Sequence, residues 1–344
     1  MDVVEALERV VYLQDRALMP TQKTAAFLRA RDIVQDLPPD ELAERVAAGT
    51  LTELAGIGPS TAQVITQAAQ GRVPDRIAKL EETTKVPLGD GTELRARLRG
   101  DCHTHSTWSD GGAPIATMAR TARHLGHEYL VVTDHSPRLT IAHGLNRDRL
   151  LAQLDEIAAL NEELAPFRIL TGMEVDILAD GALDQDEDLL ERLDVVVASV
   201  HSKMKMPEKE MTERMVLAIA SPHVDILGHC TGRKVRGDGA DQREIRPRST
   251  FDPEIVFAAC ARFDTAVEIN CRPERQDPPP ELLDLALDWD CKISIDTDAH
   301  APGHLEFLAY GCDKAVAHGI EPERIINTWP ADDLLAWTAT HPTT

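Results

Sequence analysis

From about residue 98 onward, short β-branched runs alternate with helical stretches, and this alternation admits very few architectures. The runs fall at residues 129–133, 168–173, 195–200, 224–228, 266–269 and 292–295, with a further one entering near Leu98. Parallel strands joined by crossover helices leave this pattern, because the strands are buried on both faces while each helix buries one. Seven such units are expected to close into a parallel α/β barrel.

Almost every run ends in a residue that can bind a metal, and the active sites of such barrels collect at the C-terminal ends of their strands. The first runs into Asp101-Cys102-His103-Thr104-His105-Ser106-Thr107-Trp108-Ser109-Asp110. The next ones end in Thr133-Asp134-His135, Met173-Glu174-Val175-Asp176, Ser199-Val200-His201, Gly228-His229-Cys230 and Asp296-Thr297-Asp298-Ala299-His300. In extended chain alternate side chains share a face, so His103 and His105 are placed to hold one ion together, and Asp298 and His300 again share a face. A lone H-x-H is usually an ordinary pair of histidines; six strand ends carrying such residues at once require a common cause.

Cations lie around these positions: Lys203, Arg233, Arg272 and Arg275, of which the arginines have the fork geometry that suits a phosphate. Glu268 and Asn270 share a strand face, and Asp101, Asp134 and Asp176 adjoin ligand-type residues, where they could orient imidazoles. Cys102 and Cys230 also adjoin them but point away in a regular strand. His124, His127, His143, His223, His304, His318 and His341 fall outside the motifs and are expected on the surface or in loops. No Walker loop, G-x-S-x-G or other nucleophile motif is present. Clustered divalent ions can lower the pKa of a bound water, so the chemistry is expected to run through a metal-bound water, with no protein nucleophile.

The first 90 or so residues read as helices throughout, with breaks at Leu37-Pro38-Pro39 and Gly49-Thr50. Within them, Gly56-Ile57-Gly58-Pro59-Ser60-Thr61 forms a tight glycine turn leading into a helix, where backbone N–H groups can meet a phosphate. Residues 83–95 carry Pro87 and Gly89-Asp90-Gly91 and read as the junction. The expected division is a helical domain over 1–90, a linker over 91–96 and the barrel over 97–344.

All 13 histidines lie at or after His103, which assigns the chemistry to the second domain. The net charge of −22 excludes a protein that coats nucleic acid by bulk electrostatics, yet residues 1–100 hold about 13 basic and 15 acidic side chains, so nearly all the negative excess lies beyond them. Six scattered cysteines without a C-x-x-C pair suit free thiols in a reducing compartment. No apolar run is long enough for a membrane span and the acidic, helical N-terminus is not that of an export signal, so a cytoplasmic protein is expected.

With these residues in view, the segment from about 97 to 330 resembles the polymerase and histidinol phosphatase (PHP) family. The resemblance implies a distorted seven-stranded TIM-like (β/α)7 barrel with three divalent ions held by His103, His105, Asp110, His135, Glu174, His201, His229, Asp298 and His300. It implies that His103, His105, Glu174 and Asp298 hold one ion. Glu174 would bridge to a second held with His201 and His229, and Asp110, His135 and His300 would hold the third. Asp110 stands where some members have histidine. Zn, Mn and Fe fit the donor set equally. Residues 25–82 are similar to the small helix-hairpin-helix domain of bacterial family X DNA polymerases, where the hairpin grips DNA backbone. Here Val64 replaces the Schiff-base lysine of some members, so lyase chemistry is not expected, and Ser60 stands where a basic residue would follow the glycines.

This domain order, without room for a polymerase core, implies a hydrolase of phosphoric esters acting on DNA 3′ ends in repair, as a 3′-5′ exonuclease or 3′-phosphatase. Two alternatives stand beside it: a small-molecule phosphatase of the histidinol-phosphate or nucleotide-phosphate type, and a non-catalytic module stabilised by metal.

Overall fold

The computed structural model describes residues 1–237 and 242–341, and the chain divides into two compact units, Met1–Val86 and Pro87–Thr344. The first is all-helical: α1 (Val3–Arg16), α2 (Thr21–Asp36), α3 (Pro39–Ala48), α4 (Pro59–Ala69) and α5 (Asp75–Thr83). Asp2 starts α1 with a reciprocal cap, its carboxylate accepting from the Glu5 amide at 2.8 Å while the Glu5 carboxylate accepts from the Asp2 amide at 3.0 Å. Pro39 opens α3, and Gly49, at φ +70°, ends it in the left-handed conformation. Leu7, Val10, Phe27, Ala30, Ile57, Ile65 and Ile77 meet in one core.

The second unit holds α6 (Thr92–Arg97), α7 (Ile115–His124), α8 (Arg147–Leu164), α9 (Glu187–Leu190), α10 (Glu208–Ile219), α11 (Pro253–Phe263), α12 (Pro280–Asp288), α13 (Leu308–Ala317) and α14 (Ala331–Thr338). Its strands are β1 (Gly100–Thr104), β2 (Tyr129–Val132), β3 (Arg168–Asp176), β4 (Val195–Ser199), β5 (Ile226–Leu227), β6 (Lys234–Arg236), β7 (Arg243–Arg246), β8 (Ala266–Asn270) and β9 (Ile293–Asp296). Seven of these pair in parallel in the order β1-β2-β3-β4-β5-β8-β9, the expected distorted seven-stranded barrel. The antiparallel β6–β7 hairpin was not expected, because its residues are mainly charged and show no apolar alternation.

Residues 91–96 differ from the expected linker. They lie within the second unit, where the Gly91 amide donates to Asp313 Oδ1 at 2.8 Å and α6 packs against α13.

Period-two alternation sorts the strand residues into two layers. Tyr129, Val131, Leu170, Val195 and Val197 enter one cluster, which Leu334 and Trp337 of α14 close at one end. Leu130, Val132 and Ile169 enter another with Ile115 and Met118 of α7 and Ile157 of α8.

Between β9 and β1 the barrel has a seam stitched by side chains. Asp296 Oδ1 accepts from the Cys102 amide at 2.8 Å, and Asp101 Oδ1 accepts from the Thr297 amide at 3.2 Å. A single parallel bridge, Thr104 to Ala299, continues it toward the strand ends. Burial raises the pKa of both carboxyl groups; Asp296 raises that of Asp101 further, and Glu268 that of Asp296.

Strand β1 is irregular. Asp101 pairs with Leu130 and Thr104 with Val132, so Cys102 and His103 together face Val131. This bulge lets Cys102 join the Tyr129 and Val131 cluster while His103 turns toward Glu174 and Glu268. The expectation that Cys102 points away holds only for a regular strand, and this strand is not regular. Cys102 and Cys230 are buried, as are Cys260, Cys271, Cys291 and Cys312, and all six are free thiols.

Arg214 of α10, fully buried, ties the ends of two site-bearing strands together. Its Nε donates to the Ile177 and Leu178 carbonyls at 3.0 and 2.9 Å, and its Nη1 to the Ser202 carbonyl at 2.9 Å. Ile177 follows β3, which carries Glu174, and Ser202 follows His201. Arg214→Met fills similar volume but removes the donors. It is expected to cost roughly 3 kcal/mol, the scale of charged hydrogen bonds lost to buried carbonyls, read as a lower urea midpoint of the full chain.

Candidate metal centre

Glu174 lies two residues before the end of β3 and is buried, and five histidines surround its carboxylate. His229 Nε2 and His201 Nε2 lie 2.9 and 3.1 Å from Oε1. His135 Nδ1, His103 Nε2 and His105 Nε2 lie 3.0, 3.4 and 3.6 Å from Oε2. An isolated carboxylate so deep would protonate; here burial is outweighed by His201, His103 and His135, which hold its pKa well below the ordinary range.

Two further carboxylates flank this centre. Asp298 Oδ1 lies 3.4 Å from His105 Nε2 and 3.4 Å from His300 Nδ1. Asp298 sits at φ +52°, a left-handed conformation unusual for a residue other than glycine, just beyond the end of β9. Asp110 comes from the loop after β1 and is partly open to solvent. Its Oδ1 lies 3.4 Å from His300 Nε2, 3.5 Å from His135 Nε2 and 3.9 Å from His105 Nδ1.

All nine candidate ligands therefore lie in one continuous cluster. Ligand atoms within 4.8 Å of one another fall into three groups: His103, His105 and Asp298; His135, Glu174 and His201; and His105, Asp110, His135 and His300. His105 and His135 each belong to two groups, since each ring offers a nitrogen on both sides.

Whether cations fit is answered by the nitrogens. His103 Nε2, both ring nitrogens of His105, His135 Nδ1 and both of His201 are buried without a hydrogen-bond partner among the described residues. Buried polar atoms are almost always satisfied, so aligned orphans aimed at carboxylates suit an ion between them.

Without cations, protons have to balance the carboxylates. Burial opposes charge on His135, but Glu174 and Asp110 raise its pKa to about 10; His103 is likewise raised well above its usual value by Glu268 and Glu174. His105, buried and pressed by His300 and His135, falls to about 3.

The supporting carboxylates divide their work differently from expectation. Glu268, not a neighbouring aspartate, orients an imidazole: its Oε1 lies 2.6 Å from His103 Nδ1. Asp101 instead braces the seam. Asp134 holds the loop toward Asp110, accepting from the Ser106 amide at 2.8 Å, the Ser106 hydroxyl at 2.6 Å and Gln153 Nε2 at 2.6 Å. Asp176 accepts from the His201 amide at 3.0 Å, with His201 Nδ1 3.6 Å away. Asn270 Nδ2 bridges Glu268 and Asp298 at 3.2 Å each. Gln153, buried in the middle of α8, carried no sequence signal, because its role depends on a packing contact 19 residues from its partner.

The candidate phosphate cations occupy different settings. Arg275 Nε lies 2.9 Å from Asp298 Oδ2, and Arg272 Nη1 reaches the Asp298 carbonyl at 3.2 Å and His300 Nδ1 at 2.8 Å. Lys203 is exposed after β4 at φ +51°. Arg233 is buried, and its Nε and Nη2 donate to the Arg275 and Gln276 carbonyls at 3.2 and 2.6 Å, so these donors hold a loop in place.

Three of the histidines expected on the surface or in loops lie outside the α-helices and strands but are buried. His127 faces Arg95 Nη2 at 3.0 Å, His304 stacks on Phe307 and His341 packs on Trp337. His127 and His341 reach residues far off in sequence, Arg95 and the Val224 carbonyl, which no local pattern marks.

In the first unit Gly56 is at φ +100°, and a Cβ there would come 2.8 Å from Ile33 Cδ1. Ile57 is buried in the core. Thr61 Oγ1 accepts from the Gly58 amide at 3.0 Å, closing the helix start, and Ser60 Oγ accepts from Arg76 Nη1 at 3.1 Å. A cation thus reaches the turn from α5, although none follows the glycines in sequence.

Residues 101–246 match the family model described as PHP domain. The chain is 37% identical over 241 residues to the "DNA polymerase/3'-5' exonuclease PolX" of Bacillus subtilis (strain 168); the match covers 70% of this chain and only 41% of that protein's length. It is 28% identical over 241 residues to a "probable phosphatase" of Thermoanaerobacter sp. (strain X514), covering 66% of this chain and 89% of that one. A crystal structure of histidinol phosphate phosphatase from Lactococcus lactis, complexed with zinc, L-histidinol and phosphate, aligns at a TM-score of 0.45 and 18% identity, over 65% of this chain and 95% of that one.

Because protonated His103 and His135 stand where ions would bind, cation uptake is expected to expel protons. Apparent affinity for Zn or Mn should rise with pH from 6 toward the His135 pKa of about 10, the protonated ring competing below it. Calorimetric titration in buffers of different ionisation enthalpy reads the proton count; no proton release at pH 7 would contradict this charge balance.

Proposed function

From the premise that the chain carries a PHP domain over residues 101–246 and is a hydrolase of phosphoric esters, we propose that it trims DNA 3′ ends, as an exonuclease or 3′-phosphatase. The observation that carries the chemistry is the Glu174 carboxylate ringed by histidines, several of whose buried nitrogens lack hydrogen-bond partners among the described residues. We assign His103, His105, Asp110, His135, Glu174, His201, His229, Asp298 and His300 as ligands of three divalent ions. Such ions supply Lewis acidity, lowering the pKa of water and holding phosphate oxygens.

The chain's own side chains do the positioning. Asp298 holds Arg275 and Arg272 beside the cluster, where their remaining donors can fork a phosphate oxygen. Glu268 keeps Nε2 of His103 directed at Glu174 by engaging Nδ1. The loop braced by Asp134 sets the depth of Asp110 and so the open side of the cluster.

DNA as substrate is supported by the likeness to the Bacillus exonuclease and by the glycine turn of the first unit. There Gly58 precedes the N-terminus of α4, and Arg76 adds a cation beside Ser60. A small phosphomonoester is the second reading, favoured by the net charge of −22 and by the likeness to a phosphatase along 89% of its length.

Two substitutions separate these readings in the metal-loaded full chain. Asp298→Ala is expected to lower turnover of both a small phosphomonoester and a 3′-phosphorylated nicked duplex by more than about a hundredfold, since even outer partners of a metal site are worth ten- to a hundredfold. Gly58→Asp meets open space at an ordinary φ of −93° and supplies a good N-cap, so the melting temperature should hold or rise. Its carboxylate would repel a phosphate there, raising KM for the duplex alone. An unmoved duplex KM would remove the hairpin from the mechanism.

A further inference from the structure

The two strands of the β6–β7 hairpin concentrate positive charge in a chain of net charge −22, while two acids, Asp238 and Asp241, fall in the connection between them, outside the described residues. The strands Lys234–Arg236 and Arg243–Arg246 carry Lys234, Arg236, Arg243 and Arg246 against one acid, Glu244. Glu244 is already engaged, lying 3.2 Å from Arg248 Nε, and Arg248 Nη1 also lies 2.6 Å from Glu281.

Pairing makes this concentration costly. Lys234 stands opposite Arg246, and Arg236 opposite Arg243, while Val235 stands opposite Glu244. Directly opposed residues share a face, and so do the alternate residues Lys234 and Arg236, so Arg236 and Arg243 lie on the side of Lys234; Arg246, opposite Lys234, is reached across a register irregularity at Ile245, and its Nε donates to the Gly232 carbonyl at 2.8 Å. Like charges directly opposed destabilise a strand pair. Burial, then Arg275 and Arg246, lower the pKa of Lys234. Among the described residues, Arg236 and Arg243 form no ion pair, and both are exposed. An anion bound across these pairs would relieve the repulsion.

The hairpin is continuous with the metal cluster. It leaves β5 shortly after His229, and the Val235 amide donates to the Glu274 carbonyl at 2.8 Å. The neighbouring residue Arg275 reaches Asp298 at 2.9 Å. Cations therefore follow one another from Arg275 to Lys234 and Arg246, then to Arg236 and Arg243. Lys234 and Arg236 alone are roughly 7 Å apart along the strand, wider than one phosphate group. A free monoester held at the ions would leave the outer pair unused.

We propose that this face of the β6–β7 hairpin binds the phosphodiester backbone of a single-stranded nucleic-acid segment whose 3′ end enters the metal cluster. The proposal rests on the phosphoesterase reading of that cluster and narrows its substrate to a polymer. Backbone contacts of this kind position a strand without reading its sequence, and they make binding depend steeply on salt.

The test uses the full-length, metal-loaded protein and its Arg236→Ala/Arg243→Ala variant. Three readouts are taken: turnover of p-nitrophenyl phosphate, turnover of a 3′-phosphorylated oligonucleotide, and anisotropy of the same oligonucleotide carrying a 5′ fluorescein across a salt series. The variant is expected to bind the oligonucleotide about tenfold more weakly at low salt, and the slope of log K against log salt should fall by about 1.4, two contacts at roughly 0.7 each. Its kcat/KM for p-nitrophenyl phosphate should not change, and Arg236→Lys/Arg243→Lys should restore the slope. Unchanged oligonucleotide affinity and slope would overturn the proposal, and so would equal loss on both substrates, which would mark the pair as structural. If the unaltered protein hydrolyses neither substrate, the phosphoesterase reading falls, while the anisotropy series still decides the hairpin.

Discussion

One buried carboxylate sets the terms for the barrel. Glu174 is 1% exposed and touches histidines delivered by β1, β2, β4 and β5 or the residues just after them. Removing an ionised carboxylate from water is tolerable only with compensating charge held close. Each strand must therefore end at the height that brings its imidazole to that point. Arg214, bonded to carbonyls after β3 and after His201, and Asp176, bonded to the His201 amide, fix that height.

The irregular parts of the barrel serve the same end. A regular β1–β9 ladder would give backbone pairing where this chain places Asp101 and Asp296 instead. The side-chain seam and the bulge at Cys102 and His103 turn His103 inward without losing the core contact of Cys102. Glu268 meets both His103 Nδ1 and the His229 amide, so one side chain couples two ligand-bearing strands. Ligand positions and fold stability are thus held by the same bonds.

Charge is distributed with equal economy. The chain as a whole is acidic, yet cations gather at Arg272 and Arg275 and along the β6–β7 hairpin. Coulomb attraction between exposed charges fades over roughly 10 Å at moderate salt, so a local cluster governs what an anion meets at the site whatever the net charge.

The strand count, the parallel pairing and the ligand-type residues at the strand ends were legible in the sequence, because short β-branched runs and terminal His, Asp and Glu residues are local marks that survive without a structure. What the sequence left open depended on contacts between distant residues. The bulge that turns both Cys102 and His103 inward, the buried settings of His127, His304 and His341, and the service of Arg233 to backbone carbonyls were all invisible in one dimension. So was the like-charged pairing of Arg236 with Arg243, which follows from strand register alone. Local chemistry determined which residues can bind a cation; the closing of the barrel decided which nitrogen faces which oxygen, because that geometry arises only when seven strands share one interior.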